Sequence, residues 1–406
     1  MLRSMYSGIS GLKNLQTKLD VIGNNVANVN TYGFKKSRVT FSDTMNQTIS
    51  GASAATANKG GTNSKQIGLG STIATIDTIH TQSSLQTTGR DLDLGISGDG
   101  YFVVKEGDVL SYTRAGNFYL DDNGMLVNSN GMKVQAYKVD ANGKPSKTIG
   151  DVSVNVNAVL PAVTTTKVTV SENLAAEAIE GSVFSQQIKV VDEKGKEQTT
   201  TIYFKKTGEN NWGVYDQDPT SDSELEPLTN LSFTDGKCDV TSDVNLSIDI
   251  SKDDDSDDSK KIKLDFDFST LTQVKGTTTA MVNPNGNKEG KLESFNFGPS
   301  GEISGIYSNG KIVTLGQLAI AKFSNPSGLT KTGGNIFQES INSGTANINV
   351  AGEGRGTIAS GSLEMSNVDL SEEFTEMIVA QRGFQSNSRI ITTSDEILQE
   401  LVNLKR

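Results

Sequence analysis

The sequence predicts an α+β protein of several domains, in which long N- and C-terminal helices pair as in a coiled coil. Two mostly antiparallel all-β domains are inserted between these helices. Apolar residues recur every seven positions at both ends of the chain and nowhere between. The middle has alternating apolar residues and closely spaced turn signals, while 41 glycines and 7 prolines among 406 residues are typical of many short strands.

The N-terminal segment has a narrow apolar seam with heptad spacing. Its first set of positions is Met5, Leu12, Leu19 and Val26, and its second is Gly8, Leu15, Ile22 and Val29. A seam this narrow favours packing against another helix rather than against a broad sheet.

The C-terminal segment repeats the pattern. Seven-residue spacing is strict at Leu370, Met377, Phe384, Ile391 and Leu398, and the companion positions Phe374 to Val402 are less apolar. Ser371, followed by Glu372 and Glu373, provides a helix start. We therefore expect the two ends to pair, within one chain or between chains.

The middle of the chain divides at changes in composition. We expect a terminal helical domain at 1–70 and 360–406, with a flexible or extended 41–70 segment rich in Ser, Thr, Gly and Asn. An inner β domain spans 71–145 and 286–359, and an outer inserted β domain spans 146–285. Ser-Asn-Gly turns at 129–131 and 308–310 predict two related hairpins within the β-rich part.

Composition and charge exclude several classes of function. The net charge of −11 disfavours binding to nucleic acid. No apolar run is long enough for membrane insertion, and the N-terminus lacks the pattern of a cleaved signal peptide. The acidic stretch at 216–258 indicates a solvated surface.

The sequence also offers little for catalysis. One histidine, His80, and one cysteine, Cys238, cannot supply a typical zinc site, and nothing around His80 marks a catalytic triad. We predict no catalytic, cofactor-binding or metal-binding residues, and no enzyme. Cys238 is interpreted as an ordinary turn or strand residue, the alternative being a crosslink between subunits.

Weakly stabilised terminal helices predict self-association. A lone helix with one narrow apolar stripe is marginal in water, so we expect the ends to become ordered when many copies associate. Head-to-tail association builds a helical filament when its rotation does not close. The expected inter-subunit seam contains the following residues: Met5, Leu12, Leu15, Leu19, Ile22, Val26, Leu370, Phe374, Met377, Phe384, Ile391, Leu398 and Val402.

Four asparagines lie near the end of the first helix. Asn24, Asn25 and Asn28 lie off the apolar seam, and Asn30 follows in the segment that ends at Gly33. We expect these amides to make lateral polar contacts between subunits. The alternative is a simple polar helix end, with Gly33 as its C-terminal stop.

Several long motifs resemble the bacterial flagellar rod and hook family. They are SMYSGISGL (4–12), LDVIGNNVANVNTYGFKKSR (19–38), DLDLGISGDGYFVV (91–104), YTRAGNFYLDDNGMLVNSNGMKVQAY (112–137) and the segment 361–406. The chain length and the β-rich insertion match hook subunits, since rod subunits are shorter.

The resemblance implies a curved helical tube that acts as a universal joint, transmitting motor torque to the filament. The paired helices would form the inner wall and the insertion the outer surface. Implied partners are other copies of the chain, flagellar rod, hook cap and hook–filament junction proteins, and the flagellar type III export apparatus. The location would be the extracellular hook. A distal rod subunit, a junction protein and a non-flagellar adhesin or enzyme remain alternatives.

Overall fold

A computed structural model describes residues 2–55, 59–140, 145–155, 157–220, 225–239, 244–249 and 261–404. The chain forms two compact units. Unit 1 contains Met1–Asn155, Phe295–Ser304 and Thr314–Arg406, and unit 2 contains Val156–Ser294 and Gly305–Val313. The terminal helices therefore share a unit with the inner β strands, and the three-layer division stays a prediction. The acidic run 253–258 lies outside the described residues.

Two long helices belong to unit 1: α1 (Leu2–Ala27) and α2 (Leu370–Leu404). The carboxylate of Asp369 accepts the backbone N–H of Ser371 at 2.8 Å and caps α2, so the cap lies two residues before the predicted start at Ser371. The helix α1 ends at Ala27, and irregular turns lead to Gly33, whose φ of +69° is left-handed. The helix thus ends before Asn28, although Gly33 still terminates the segment.

The segment after α1 forms a long β-ribbon. The strands are β1 (Ser37–Asp43), β2 (Asn46–Ser50), β3 (Lys65–Gly68) and β4 (Ser71–Thr78). Antiparallel pairing joins β1 to β4 and β2 to β3. The composition of 41–70 predicts a flexible or extended segment and does not indicate this pairing, because pairing between Thr- and Ile-containing strands does not require a buried apolar face.

The remaining strands of unit 1 form an antiparallel sheet and two short ladders. Before the insertion they are β5 (Leu85–Thr87), β6 (Leu94–Ser97), β7 (Tyr101–Glu106), β8 (Val109–Thr113), β9 (Tyr119–Leu120), β10 (Leu126–Val127), β11 (Lys133–Val139) and β12 (Pro145–Asp151). A hydrophobic core on this sheet contains Tyr101, Val103, Tyr112, Phe323 and Phe337.

Unit 2 holds a nine-stranded sheet. The strands from here are β13 (Val159–Leu160), β14 (Lys167–Asn173), β15 (Val183–Val191), β16 (Glu197–Gly208), β17 (Asn211–Tyr215), β18 (Thr229–Thr234), β19 (Lys237–Cys238), β20 (Val244–Asp249), β21 (Lys261–Thr272) and β22 (Met281–Pro284). The sheet order is β15-β16-β17-β18-β19-β21-β14-β22, with β20 beside β21. Its pairs are antiparallel except for the parallel β14–β21 pair. Trp212 and Cys238 lie in its core.

The chain then passes between the two units, since 290–294 and 305–313 lie in unit 2, and it ends in unit 1. The strands are β23 (Gly290–Phe297), β24 (Glu302–Tyr307), β25 (Ile312–Lys322), β26 (Thr330–Gly333), β27 (Ile336–Gln338), β28 (Asn347–Val350), β29 (Thr357–Ser360) and β30 (Ser362–Glu364), with a 3-10 turn at Pro326–Gly328. The main run of the unit 1 sheet is β25-β11-β7-β8-β27-β26. Two short ladders, β6–β29 and β5–β30, bring the chain towards α2.

The two predicted Ser-Asn-Gly turns are confirmed as related. Asn128 and Tyr307 each donate a backbone N–H to the carbonyl four residues later, both at 3.0 Å. Gly131 and Gly310 have φ values of +78° and +79°. Only glycine adopts this conformation without strain, which explains why one tripeptide serves both turns.

Candidate assembly surface

The two helices pack antiparallel through small residues. A Cβ built on Gly8 would lie 3.4 Å from Ile391 Cγ1, and one on Gly383 would lie 3.0 Å from Leu15 Cδ1. Ala380 between them is fully buried. Small side chains at these positions let the helix backbones approach closely, and a larger residue at Gly383 would require Leu15 to shift.

The face of α2 that contacts α1 differs in part from the predicted seam. Met377, Ile391 and Leu398 are at least half-buried, but their companions are the small or polar residues Glu373, Ala380, Asn387 and Ser394. These companions also recur every seven residues, and each lies one position before a member of the predicted series that begins at Phe374. A search for apolar residues does not find them, because they are small or hydrogen-bonded.

The α1 part of the predicted seam lies mostly inward. Met5, Leu12, Leu15, Leu19 and Val26 are half-buried and Ile22 is buried. On α2, by contrast, Leu370, Phe374, Phe384 and Val402 are exposed. The α1 residues and Met377, Ile391 and Leu398 are thus at least half-buried, whereas the other α2 residues of the predicted seam lie on the surface.

An apolar stripe remains uncovered on α2. Leu370, Phe374 and Ile378 follow at four-residue spacing on one side of the helix, and Phe374 and Ile378 are 49% and 58% exposed. We call these three residues the outer stripe. Tyr6 and Ile9 on α1 are also exposed. Contiguous apolar surface of this kind marks an interaction site in a water-soluble chain.

The four asparagines have different environments. Asn25 is 1% exposed, and its amide bonds Ser37 O at 2.8 Å and Glu373 Oε2 at 3.1 Å within the same chain. The Asn25 amide therefore joins α1, β1 and α2 within one chain. This differs from the lateral contact between subunits that was expected for Asn25. Asn28 donates to Asn24 O at 2.9 Å, whereas Asn24 and Asn30 are exposed.

A buried ion cluster ties the helix ends to the sheet. Lys35 Nζ lies 2.7 Å from Glu364 Oε1, and Arg114 Nη1 lies 3.1 Å from Glu364 Oε2. The side chains of Lys35 and Glu364 are completely buried. We call these three residues the root cluster, since Lys35 follows α1, Glu364 precedes α2 and Arg114 follows β8.

The root cluster is also bonded to backbone groups. Lys35 donates to Thr81 O at 2.7 Å, Arg114 donates to Gly98 O at 2.8 Å, and Ser83 N–H donates to Glu364 at 3.1 Å. Burial lowers the pKa of Lys35, and the Glu364 carboxylate opposes that shift. No sequence pattern indicates this cluster, because Lys35 and Glu364 are 329 residues apart in the chain and each resembles an ordinary surface charge.

Gly33 sits against the sheet beside the root cluster. A Cβ built on it would lie 2.5 Å from the backbone N of Ala115, and its φ is +69°. We expect Gly33→Ala to lower the free energy of unfolding of unit 1 by about 2–4 kcal/mol, from left-handed strain and the clash. Urea denaturation followed by far-ultraviolet circular dichroism measures this.

Gly131→Ala is the matched control for Gly33. Its φ is similar, but a Cβ there meets nothing within 4 Å, so only the left-handed strain of about 1–2 kcal/mol applies. Equal losses in the two variants would contradict the close approach at Gly33.

His80 gives the fold a pH dependence. Its Nδ1 lies 2.6 Å from the Tyr101 hydroxyl, and burial, assisted by Lys35, Lys331 and Arg114, lowers its pKa to about 4. An unfolded histidine binds a proton near pH 6.5, so the folded state binds fewer protons between these values. The contribution of neutral His80 to the free energy of unfolding is therefore fully present above pH 6.5. It is lost as the pH falls towards 4, and the loss amounts to at most about 3 kcal/mol.

The pH dependence is measured by urea denaturation between pH 4 and 7.5. In His80→Gln the decrease in the free energy of unfolding that histidine protonation causes between pH 6.5 and 4 should disappear. The decrease below pH 5 that comes from carboxylate titration should persist in both proteins. An identical pH profile in the two proteins would rule out this role of His80.

The candidate crosslinking residue Cys238 is 6% exposed and belongs to the unit 2 core. A crosslink through its thiol would therefore require local opening of unit 2. Within the part of the chain that the structure describes, no cluster of three His, Cys, Asp or Glu side chains is placed to hold a metal. Neither α1 nor α2 is long and apolar enough to cross a membrane.

Family models match the chain at both ends and in the middle. Residues 5–35 match "Flagella basal body rod protein", 95–173 match "Flagellar hook protein FlgE/F/G D1 domain" and 359–404 match "Flagellar basal body rod FlgEFG protein C-terminal". The matched segments contain α1, the sheet strands and α2. They define the class of the protein, a structural protein of the bacterial flagellum.

Curated relatives match over the full length. The chain is 41% identical to the flagellar basal-body rod protein FlgG of Bacillus subtilis and 38% identical to the flagellar hook protein FlgE of Borreliella burgdorferi, each covering 100% of both chains. It is 34% identical to Escherichia coli FlgE, covering 98% of each. The chain belongs to the flagellar rod and hook protein family.

A solved structure of a flagellar hook protein also matches part of the chain. The Helicobacter pylori hook protein FlgE2 is 13% identical, with a TM-score of 0.49, and the match covers 69% of this chain and 100% of that one.

Proposed function

We propose that this protein is the structural subunit of the bacterial flagellar hook, which assembles with copies of itself into a curved tube. The observation that supports the proposal most is the exposed apolar surface of α2, which one chain leaves uncovered. Three relatives matched over nearly their whole length, from B. burgdorferi, Treponema pallidum and E. coli, are named hook proteins.

In the proposed tube the helices pair as in a coiled coil and line the inner wall. The domain at 71–145 and 286–359 forms a middle layer, and 146–285 faces outward. The outer stripe and the amides of Asn24, Asn28 and Asn30 contact neighbouring copies. Bending arises from sliding between outer domains while the inner helices hold, so that the tube works as a universal joint and performs no enzymatic step.

The proposed location is the extracellular hook, reached through the flagellar type III export apparatus without a cleaved signal peptide. Proposed partners besides other copies are the rod, the hook cap and the hook–filament junction proteins. A distal rod subunit is the second candidate, because the B. subtilis relative is named a rod protein.

Negative-stain electron microscopy of the purified, polymerised chain separates the candidates. Curved tubes are the expected result for a hook subunit. Straight, stiff tubes would favour the rod subunit, and a chain that stays monomeric under all polymerising conditions would refute both.

A further inference from the structure

A groove with an apolar floor lies where α1, the start of β1 and the first turns of α2 meet. Val21, Ile22, Val39 and Ile79 line its floor, and its volume is about 280 Å³. That is room for one or two aliphatic side chains. All of its walls belong to unit 1, and no residue of the described part of the chain fills it.

The rim of the groove is charged. Lys18 pairs with Glu376 across it, and Lys36 Nζ lies 2.6 Å from Glu372 Oε2. Arg38 is held less tightly, 3.8 Å from Asp77, and its side chain is 63% exposed. The rim thus offers one loosely held cation beside an apolar floor.

The end of α2 has the complementary character. Gly8 faces Ile391, so residue 2 lies level with roughly residue 397 of the antiparallel partner, and α2 continues beyond α1. Leu401, Val402 and Leu404 on this overhang are exposed, as are the acidic Glu396 and Glu400. We call residues 398–404 the α2 tip.

We propose that the α2 tip of one copy docks in this groove of a second copy. The side chains of Leu401 and Val402 pack against the apolar floor of the groove, and the Glu400 carboxylate lies near the Arg38 guanidinium. A chain cannot fill its own groove, because Glu376 at the groove and Val402 at the tip are about 39 Å apart along α2. Joining two different surfaces head to tail leaves a free tip and a free groove at the ends, which permits open-ended growth.

This contact rests on the proposed function, since it specifies how the helices of successive copies meet. It is distinct from the outer stripe, because the stripe shares no residue with the groove and lies on the other side of α2 from the groove-lining Glu372 and Glu376. The two surfaces can therefore be tested separately.

Disulfide trapping tests the contact. The double variant Val39→Cys with Val402→Cys is polymerised and then oxidised with copper phenanthroline, and the products are separated on a denaturing gel without reductant. We expect a ladder of covalent multimers. The matched control, Val379→Cys with Val402→Cys, keeps the thiol at the α2 tip and moves the other thiol to an exposed α2 position that does not line the groove.

The outcomes are distinguishable. A ladder from the 39/402 pair that is at least tenfold stronger than that of the control supports the contact. Polymer of normal yield with no such excess overturns the contact and leaves the hook proposal intact. Absence of polymer in the unmodified chain refutes the proposed function and the contact with it.

Discussion

The double substitution Phe374→Gln with Ile378→Gln is expected to abolish polymerisation at concentrations where the unmodified chain assembles. Both side chains are about half exposed in the single chain and belong to the outer stripe. Because only about half of each side chain remains to be buried, association contributes about 0.8–1.5 kcal/mol for each and about 1.5–3 kcal/mol for the pair. At about 1.4 kcal/mol for each factor of ten, the critical concentration should rise about 10- to 100-fold.

Sedimentation of polymer over a concentration series measures this shift. Glutamine is a good helix former, so the free energy of unfolding of the variant should stay within about 0.5 kcal/mol of the unmodified chain. The control is Ile341→Gln with Ile179→Gln, which removes two exposed apolar residues outside both helices. An equal rise in the control would show that general surface hydrophobicity, not the outer stripe, drives assembly.

The second large effect is expected in the root cluster. Glu364→Gln removes a carboxylate that contacts both Lys35 and Arg114, and Lys35 is as deeply buried as Glu364 itself. Breaking a buried ion pair by removing one partner leaves an uncompensated charge and costs about 3–5 kcal/mol. Unit 1 should lose this much stability.

Two spectroscopic signals separate the two units. Trp212, the one tryptophan of the sequence, lies in the core of unit 2, so its fluorescence reports that unit. Both long helices belong to unit 1, so the helical circular dichroism signal at 222 nm reports unit 1. In urea, Glu364→Gln should shift the circular dichroism transition and leave the fluorescence transition unchanged.

Glu372→Gln is the control for the root cluster. It breaks a pair with Lys36 in which the glutamate side chain is 60% exposed, and such pairs contribute less than about 1 kcal/mol. Similar losses in Glu364→Gln and Glu372→Gln would show that the root cluster does not hold the helix ends to the sheet.

Much of the fold could be predicted from local patterns. Heptad spacing identified both helices, and the Ser-Asn-Gly tripeptides identified two related turns, because each of these features depends on residues close in sequence. The segment 41–70 was predicted to be flexible or extended, and its pairing as part of a ribbon was not predicted, since backbone pairing between polar strands leaves little apolar signal.

The details of the assembly surface could be predicted less well. The face of α2 that meets α1 contains Ala380 and Ser394, which an apolar count passes over. Lys35, Arg114 and Glu364 are brought together by the path of the whole chain, and no local pattern predicts that contact. Asn25 looked like its neighbours in sequence, yet its burial depends on a ribbon and a helix that lie far away along the chain.

The central claim is that polymerisation covers the outer faces of the helix pair. A helical reconstruction of the polymer by cryo-electron microscopy tests it most directly. The predicted result places α1 and α2 at the smallest radius, with Phe374 and Ile378 buried against a neighbouring copy. A polymer in which α2 keeps this stripe in solvent, with contacts made only through the β domains, would contradict the account.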